Sequence, residues 1–218
     1  EALGREVRRG FVAPAGCRLL SADYSQIELR VLAALSGDAE LVRSYGAGAD
    51  IHARTAAAIF GMEEKAVGRE ERAAAKTVNF GVIYGQSAFG LARELGIPRG
   101  EAQRFIDAYF ALYGGVRAFF DTVINTAAEQ GFVRTRFGRI RPLPELASRN
   151  RNNRLLGERL AVNTVIQGTA ADLIKLAMLG VETRLKREGL AAVLLLQVHD
   201  ELLLEVPERE LAAGTKLG

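Results

Sequence analysis

The placement of the strand-like segments constrains the fold of this chain more than any other feature. One apolar segment, CRLLSA, begins at Cys17, and two more lie near the other end, in AVLLLQVHDELLLEVP. Short apolar runs bounded by turn signals predict strands, and the His199-Asp200 step between the last two predicts a hairpin. One strand, many helices and then a strand pair predict an α+β fold, with helices inserted between parts of one sheet.

The segments between these strands are predicted to be mostly helical. The first strand runs into an apolar helix, in which Leu29, Leu32 and Leu35 have helical spacing. Several helices follow from about Asp50 to Gln130, separated by breakers at Gly61, Gly85, Gly96-Ile97-Pro98 and Gly114-Gly115. After Arg134-Thr-Arg-Phe-Gly-Arg-Ile-Arg-Pro, a basic, loop-like stretch is predicted to about Arg154, followed by a long helix from about Glu158 to Glu188.

Composition excludes several classes of protein. The hydrophobic share of 49% and the charged share of 25% are typical of a globular protein. No uninterrupted run of 18 apolar residues occurs, so we predict no membrane-spanning helix. Cys17 is the only cysteine, which excludes an internal disulfide and a multi-cysteine zinc site and favours a reducing, cytoplasmic setting. The net charge of +3 weakly favours an anionic partner. Neither a GxxxxGK[ST] phosphate loop nor an HExxH zinc motif is present.

Carboxylates occupy the ends of the predicted strands. Asp23 follows the first strand, and Asp200 with Glu201 lies between the last two. Aspartates at the ends of adjacent strands can converge, and there they offer the hard oxygen ligands that a pair of Mg²⁺ ions needs. An aspartate at a strand end is more often a turn residue or a helix N-cap, and Asp23 or Ser25 could cap the helix that follows. Both interpretations stay open on these residues alone.

A second constellation lies in ERAAAKTVNFGVIYG, where Arg72, Lys76, Phe80 and Tyr84 are each four residues apart. On an α-helix a step of four residues drifts by only about 40°, so the side chains line one face. Two cations followed by two aromatics suit a nucleoside triphosphate lying along the helix. A solvated basic face with two core aromatics is the commoner source of such a stripe, although the small residues around it leave one face open.

A third stripe, formed by Arg159, Asn163 and Gln167, follows the same spacing on an otherwise apolar helix. Polar groups on such a face need partners if they are buried. Asn and Gln amides suit the minor-groove acceptors of DNA, which are nearly the same for every base pair. A buried amide network between helices explains the pattern equally well.

Together these segments resemble the family A DNA polymerases, and within that family the bacterial DNA polymerase I type. DYSQIELR, the helix from Arg72 to Gly85 and QVHDE are similar to the three polymerase motifs of the family. QGTAADLIKLAM and DIHARTA resemble two further signatures, and all five segments occur in the expected order. The resemblance extends from about Val7 to Pro207.

The resemblance implies template-directed DNA synthesis with two Mg²⁺ ions. It assigns metal binding to Asp23, Asp200 and the backbone carbonyl of Tyr24, with Glu201 in a supporting position. One ion would activate the primer 3′-hydroxyl, and the other would neutralise the triphosphate and the leaving pyrophosphate. Lys76 is implied as the proton donor to pyrophosphate.

Further residues are implied as contacts to the nucleotide and to DNA. The residues assigned to the incoming triphosphate are Arg72, Lys76, His52 and Gln26. Phe80 is assigned to the sugar, where a Phe implies discrimination against dideoxynucleotides. Glu28 is assigned to a steric gate against a ribose 2′-hydroxyl, and Tyr84 closes the same pocket. The residues assigned to the primer–template are Arg159, Asn163 and Gln167, with His199 at the primer terminus.

The implied architecture is a palm with a small antiparallel β-sheet and a helical fingers subdomain inserted between the palm strands. We expect 1–50 to form the first part of the palm, 51–150 the fingers and 151–218 the second part of the palm. The family's thumb, exonuclease-like and 5′ nuclease domains would lie before Glu1, so we expect a truncated catalytic core with weak, distributive activity. The terminal GTKLG differs in character from the preceding segment and is interpreted as appended sequence.

The implied partners are primer–template DNA and dNTPs, for a monomeric, cytoplasmic and nucleoid-associated protein that does not bind membranes. Two other classes compete with a polymerase. A metal-dependent nuclease could use the same carboxylates, but it leaves the stripe of cations and aromatics unexplained. An inactive nucleic-acid-binding fragment is the other alternative. Incubating labelled DNA with Mg²⁺, with and without dNTPs, separates synthesis from degradation.

Overall fold

A computed structural model describes residues 6–7 and 9–215; the last three residues of GTKLG lie outside the described residues. The strands are β1 (Cys17–Asp23), β2 (Phe132–Arg134), β3 (Ile140–Pro142), β4 (Val193–Val198) and β5 (Glu201–Pro207). The helices are α1 (Ile27–Ser36), α2 (Ala39–Gly46), α3 (Ile51–Phe60), α4 (Arg69–Ile83), α5 (Ala88–Leu95), α6 (Arg99–Leu112), α7 (Gly114–Gln130), α8 (Arg151–Glu188) and α9 (Leu211–Gly214). The predicted α+β class with small antiparallel sheets is confirmed.

The chain divides into two compact units, one formed by Glu28–Ala170 and the other by the segments Glu1–Ile27 and Ala171–Gly218. We call them the helical unit and the sheet unit. The helix α8 runs through the boundary between them at Ala170.

The sheet unit is built on three antiparallel strands in the order β1-β5-β4. The central strand β5 alternates in burial, with Leu202, Leu204 and Val206 buried on one face. This alternation is what a strand with one packed face requires. The predicted hairpin is confirmed, because Val198 pairs with Glu201 across the two-residue turn His199-Asp200.

The helical unit contains the seven helices α1 to α7 and the first half of α8, and its helix ends follow local signals. Asp38, Asp50 and Ser87 accept hydrogen bonds from backbone N–H groups as the N-caps of α2, α3 and α5. The predicted breakers Gly61 and Gly96 are confirmed as left-handed C-caps, with φ of 67° in each case.

The structure adds a hairpin that was not predicted and moves the start of the long helix. Strands β2 and β3 form this small hairpin just before the predicted loop-like stretch, closed by a 2.9 Å hydrogen bond from the Thr135 N–H to the Arg139 carbonyl. Strands of three residues are too short for side-chain alternation to reveal them. The helix α8 also begins at Arg151 rather than near Glu158, because the Asn150 side chain accepts a 2.8 Å hydrogen bond from the Asn152 N–H at its start.

The helix α8 includes an 18-residue window with a mean hydropathy of 1.3, of which 22% is buried. By length and composition alone, such a helix is able to cross a membrane. A single helix of this kind is weak support for a membrane span, because core helices of soluble proteins reach the same values. The absence of a membrane partner therefore stays a prediction.

Candidate active site

The end of the three-stranded sheet brings the predicted carboxylates together. Asp23, the last residue of β1, lies directly opposite Glu201, the first residue of β5. The Tyr24 N–H donates a 3.1 Å hydrogen bond to the carbonyl of Asp200. Asp23 and Tyr24 are exposed and Asp200 is half-buried, so all three are accessible from solvent. Antiparallel register, rather than sequence proximity, creates this cluster.

Two further features of this sheet end distinguish it from an ordinary turn. Ser21 Oγ donates a 2.6 Å hydrogen bond to Glu201 Oε1, which fixes the carboxylate beside Asp23. Gln26 and His199 have positive φ values of 57° and 55°, and they are the two non-glycine residues in the described part of the chain that do so. Non-glycine residues in this region are strained and concentrate at functional sites. Ser21 was not predicted as a site residue; its two-residue spacing from Asp23 on a strand was the available signal.

The donor atoms at this sheet end fit Mg²⁺. Within 6–7 and 9–215, no three His, Cys, Asp or Glu side chains are grouped to hold a metal ion. Mg²⁺, however, is commonly bound through one or two carboxylates, with substrate phosphates and water completing its shell. Two aspartates and the main-chain oxygen of Tyr24 match that donor set, and they do not form a closed protein cage.

The helix α4 carries the stripe of cations and aromatics in the helical unit. Lys76, Phe80 and Tyr84 line a cavity of about 590 Å³, and Arg159 of α8 also contributes to its wall. The Phe80 ring lies 6.0 Å from the His52 ring and 6.3 Å from the Tyr84 ring, measured between centroids. Tyr84 is the residue that follows the last turn of α4, so the predicted stripe extends to the end of that helix.

Arg72 belongs to the same stripe but is held at the start of α3. Its Nε donates a 2.6 Å hydrogen bond to Asp50 Oδ2. The other oxygen of Asp50 caps α3 by accepting from the N–H groups of His52 and Ala53. Burial alone would raise the pKa of Asp50, but the Arg72 hydrogen bond, the backbone hydrogen bonds and the Arg72 charge outweigh it and lower the pKa.

His52 lies on the first turn of α3 and is only 2% exposed. Burial lowers the pKa of its imidazole, and the positive charges of Arg72 and Lys76 lower it further against the opposing effect of Asp50. The imidazole is therefore neutral at physiological pH. Its Nδ1 lies 2.9 Å from the Asn79 side-chain nitrogen.

Sequence reasoning missed Asn79, which contacts His52, and it missed Thr55 and Tyr113, which continue the line of hydrogen bonds from Asn79. All three are completely buried. The available signal for Asn79 was its position on the face of α4 that also carries Ala75, Val78 and Val82, which are all buried. An amide at a core-facing position needs hydrogen-bond partners and is rarely placed there without a specific role.

Glu28, predicted as the steric gate, and Tyr84, predicted to close the same pocket, are hydrogen-bonded to each other. Tyr84 donates a 2.8 Å hydrogen bond from its hydroxyl to Glu28 Oε2. The bond links the end of α4 to the first turn of α1. Gly85, the next residue, has φ of 64°, and a Cβ there would come within 2.7 Å of Arg159 Cγ. The backbone conformation and the close approach of Arg159 both require glycine.

The third stripe lies on α8, with Arg159 and Gln167 exposed and Asn163 half-buried. The Asn163 Oδ1 atom is buried and accepts no hydrogen bond within the described part of the chain. The predicted alternative of a satisfied amide network is therefore not supported for this atom. His199, assigned to the primer terminus, is exposed in the β4–β5 turn of the sheet unit.

Comparisons with known proteins agree on one family. A family model described as DNA polymerase family A matches residues 1–217. The chain is 51% identical to DNA polymerase I of Chloroflexus aurantiacus over 214 residues, which are 98% of this chain and 23% of that protein. It is 54% identical to the thermostable DNA polymerase I of Thermus filiformis over 206 residues, 94% of this chain and 24% of that protein.

A solved structure gives the same result. The POL domain of Pol1 from M. smegmatis, in complex with DNA primer-template and dNTP, superposes with a TM-score of 0.94 at 44% identity. The match covers 100% of this chain and 38% of that one. The chain spans about a quarter of the length of the curated relatives that it matches. The motifs, the fold and a family match over almost every residue agree. The chain belongs to DNA polymerase family A.

Proposed function

We propose that this chain carries the catalytic centre of a DNA-directed DNA polymerase, which transfers deoxynucleotides from dNTPs to a primer 3′-hydroxyl and releases pyrophosphate. The observation that carries the proposal is the strand register, which gathers Asp23, Tyr24 and Asp200 at one end of the sheet. The family match and the relatives named DNA polymerase I support it. We further propose that the palm comprises 1–50 and 151–218, and the fingers 51–150.

In the proposed reaction the primer 3′-oxygen attacks the α-phosphorus of the dNTP, and the bond to the β-phosphate oxygen breaks. Asp23, Asp200 and the Tyr24 carbonyl would hold two Mg²⁺ ions, which would neutralise phosphate charge and favour loss of the 3′-hydroxyl proton to water. Lys76 would donate its proton to the leaving pyrophosphate. The protein thus supplies position and charge, while no side chain forms a covalent intermediate.

The helical unit would hold the nucleotide. Arg72 engages Asp50 through Nε, which leaves the terminal guanidinium nitrogens to contact phosphate. Lys76, His52 and Gln26 would complete the triphosphate contacts, and Phe80 would pack on the sugar. Glu28 and Tyr84, joined by their hydrogen bond, would form the wall that excludes a ribose 2′-hydroxyl.

The DNA contacts would come from Arg159, Asn163, Gln167 and His199. The buried Asn163 Oδ1, which lacks a partner within the described residues, supports a ligand-facing role for that side chain. We propose primer–template DNA and dNTPs as the partners of a monomeric protein. The bacterial relatives support a cytoplasmic location, and we propose association with the nucleoid through DNA.

Primer extension by carboxylate variants tests this function. Asp23→Asn and Asp200→Asn keep the side-chain size but remove the charges that bind metal, so we expect near-complete loss of extension with primer–template binding largely kept. Asp121→Asn, an exposed aspartate on α7, is the matched control and should extend normally. Undiminished synthesis by either site variant would refute the metal assignment. Degradation of labelled DNA with Mg²⁺ in the absence of dNTPs would instead favour a nuclease.

A further inference from the structure

The buried face of α4 carries one polar residue whose role the proposed function does not use. Asn79 is completely buried between apolar neighbours on that face. Burying an amide without partners costs free energy, so each of its polar atoms must be satisfied by fixed groups. Because no water reaches the side chain, these groups determine how the amide is oriented.

A continuous line of side chains satisfies the amide. The Asn79 side-chain nitrogen lies 2.9 Å from His52 Nδ1, and its oxygen accepts a 3.0 Å hydrogen bond from Thr55 Oγ1. The single Thr55 hydroxyl hydrogen is shared between Asn79 Oδ1 and the Ile51 carbonyl, which lies 2.9 Å from Thr55 Oγ1, and the Tyr113 hydroxyl lies 3.1 Å from the same oxygen. Burial raises the pKa of Tyr113 to about 12, which keeps this hydroxyl protonated and able to donate to Thr55.

The line of hydrogen bonds ends at His52, which is almost completely buried. His52 is 2% exposed and neutral, so one ring nitrogen carries a proton and the other accepts. An amide N–H directed at Nδ1 makes that nitrogen the acceptor. The proton of the neutral ring then resides on Nε2.

We propose that Asn79 is a positioning residue that holds His52 as the Nε2–H tautomer, so that this nitrogen donates a hydrogen bond to the phosphates of the incoming nucleotide. Thr55 and Tyr113 fix the orientation of the Asn79 amide. The inference rests on the proposed function for the identity of the ligand. The tautomer itself does not depend on that identity.

Nitrogen-15 NMR of the imidazole side chains tests the inference directly. The chain contains two histidines, so a sample labelled only at histidine gives two ring systems, and His199→Gln assigns them. We expect His52 to show an unprotonated Nδ1 and a protonated Nε2 at neutral pH. The opposite amide orientation would place the Asn79 oxygen against an Nδ1–H group. Protonated Nδ1 in the unmodified chain would therefore overturn the proposal without any variant.

Asn79→Asp provides the second measurement, because it preserves shape but replaces the N–H donor with an acceptor. We expect the proton to appear on Nδ1, seen as a large upfield shift of that nitrogen. Asn125→Asp, at an exposed position on α7, makes the same chemical change away from His52 and should leave both nitrogens unchanged. An Nδ1 signal that stays unprotonated in Asn79→Asp would also refute the proposal.

Titration with dATP and Mg²⁺ separates this inference from the proposed function. Nucleotide should shift the His52 Nε2 signal in the unmodified chain. In Asn79→Asp the dATP dissociation constant should rise about tenfold, as expected for one lost hydrogen bond to a charged group. If His52 has the predicted tautomer but its Nε2 chemical shift does not change on addition of dATP, the positioning role of Asn79 stays supported. The contact between His52 and the triphosphate would then be refuted.

Discussion

At the scale of single residues, the proposed sugar site rests on the aromatic pair at the end of α4. The Phe80 ring lies 6.0 Å from the His52 ring and 6.3 Å from the Tyr84 ring, measured between centroids. In the proposed site it would offer the sugar an apolar face and no hydrogen bond. For Phe80→Tyr we expect dideoxynucleotide incorporation relative to dNTP to rise at least about tenfold, because the new hydroxyl can replace a polar contact that the missing 3′-hydroxyl would make.

Primer extension with mixed dNTP and dideoxynucleotide pools measures this ratio through the frequency of termination. Phe89→Tyr is a suitable control, since Phe89 is 64% exposed on α5 and does not line the cavity beside α4. The control should terminate as the unmodified chain does. An unchanged termination ratio in Phe80→Tyr would remove Phe80 from the sugar site.

His52 also gives the fold a defined dependence on pH. Its pKa is lowered from an ordinary 6.5 by burial, and then by the charge of Arg72. Between the lowered pKa and 6.5 the unfolded chain binds more protons than the folded chain. The contribution of His52 to the free energy of unfolding is therefore fully present above about pH 6.5 and is lost as the pH falls from there through the lowered pKa. We expect the free energy of unfolding in urea to fall between about pH 7.5 and pH 5, and part of this slope to disappear in His52→Gln. Equal slopes for the two proteins would contradict the assignment.

At the scale of secondary-structure elements, one carboxylate ties two helix starts together. Asp38 is 5% exposed, and its Oδ1 accepts 3.0 Å hydrogen bonds from the N–H groups of Glu40 and Leu41 at the start of α2. Its Oδ2 accepts a 2.8 Å hydrogen bond from the Gly115 N–H at the start of α7. We expect Asp38→Ala to lower the free energy of unfolding by about 2 kcal/mol, because it removes an N-cap and leaves a buried N–H without a partner.

Urea denaturation measures this loss, and Asp121→Ala serves as the control because Asp121 is exposed on the same helix α7. Gly115→Ala offers an independent check. An added Cβ at Gly115 would come within 2.9 Å of Asp38 Cα, so the helix start would have to move away from the carboxylate. Stability equal to the control in both variants would show that the Asp38 bridge contributes little.

The secondary-structure elements differ in how well the sequence predicts them. Strands β1, β4 and β5 and the helix α4 were predictable, because their apolar periodicity and the motif residues extend over several turns or residue pairs. The β2–β3 hairpin was not, since three-residue strands carry no readable alternation. The line from Asn79 through Thr55 to Tyr113 joins residues 24 and 58 positions apart along the chain, and only the packing of α3 against α4 and α6 places them together.

At the scale of the whole molecule, the two units differ in how far apart their contacting residues lie along the chain. Ser21 and Glu201, which are hydrogen-bonded across β1 and β5, are separated by 180 residues. In the helical unit, Thr55 and Asn79 are separated by 24. Closing a longer loop costs more chain entropy, and contacts that are distant in sequence form later during folding.

Strand β5 allows this difference to be measured without comparing different kinds of structure. It pairs with β4 through a two-residue turn and with β1 across almost the whole chain, so its backbone N–H groups divide between a local and a distant partner. In pulse-labelled hydrogen exchange during refolding, we expect protection of α3 and α4 and of the β4–β5 ladder before protection of the β1–β5 ladder. Both ladders share β5, and their partner strands β1 and β4 lie at very different separations from it along the chain. Simultaneous protection of the two ladders would mean that β1, β4 and β5 pair in one step. In that case the carboxylate cluster would be complete as soon as the hairpin forms, whereas the expected order makes Asp23 the last of its residues to arrive.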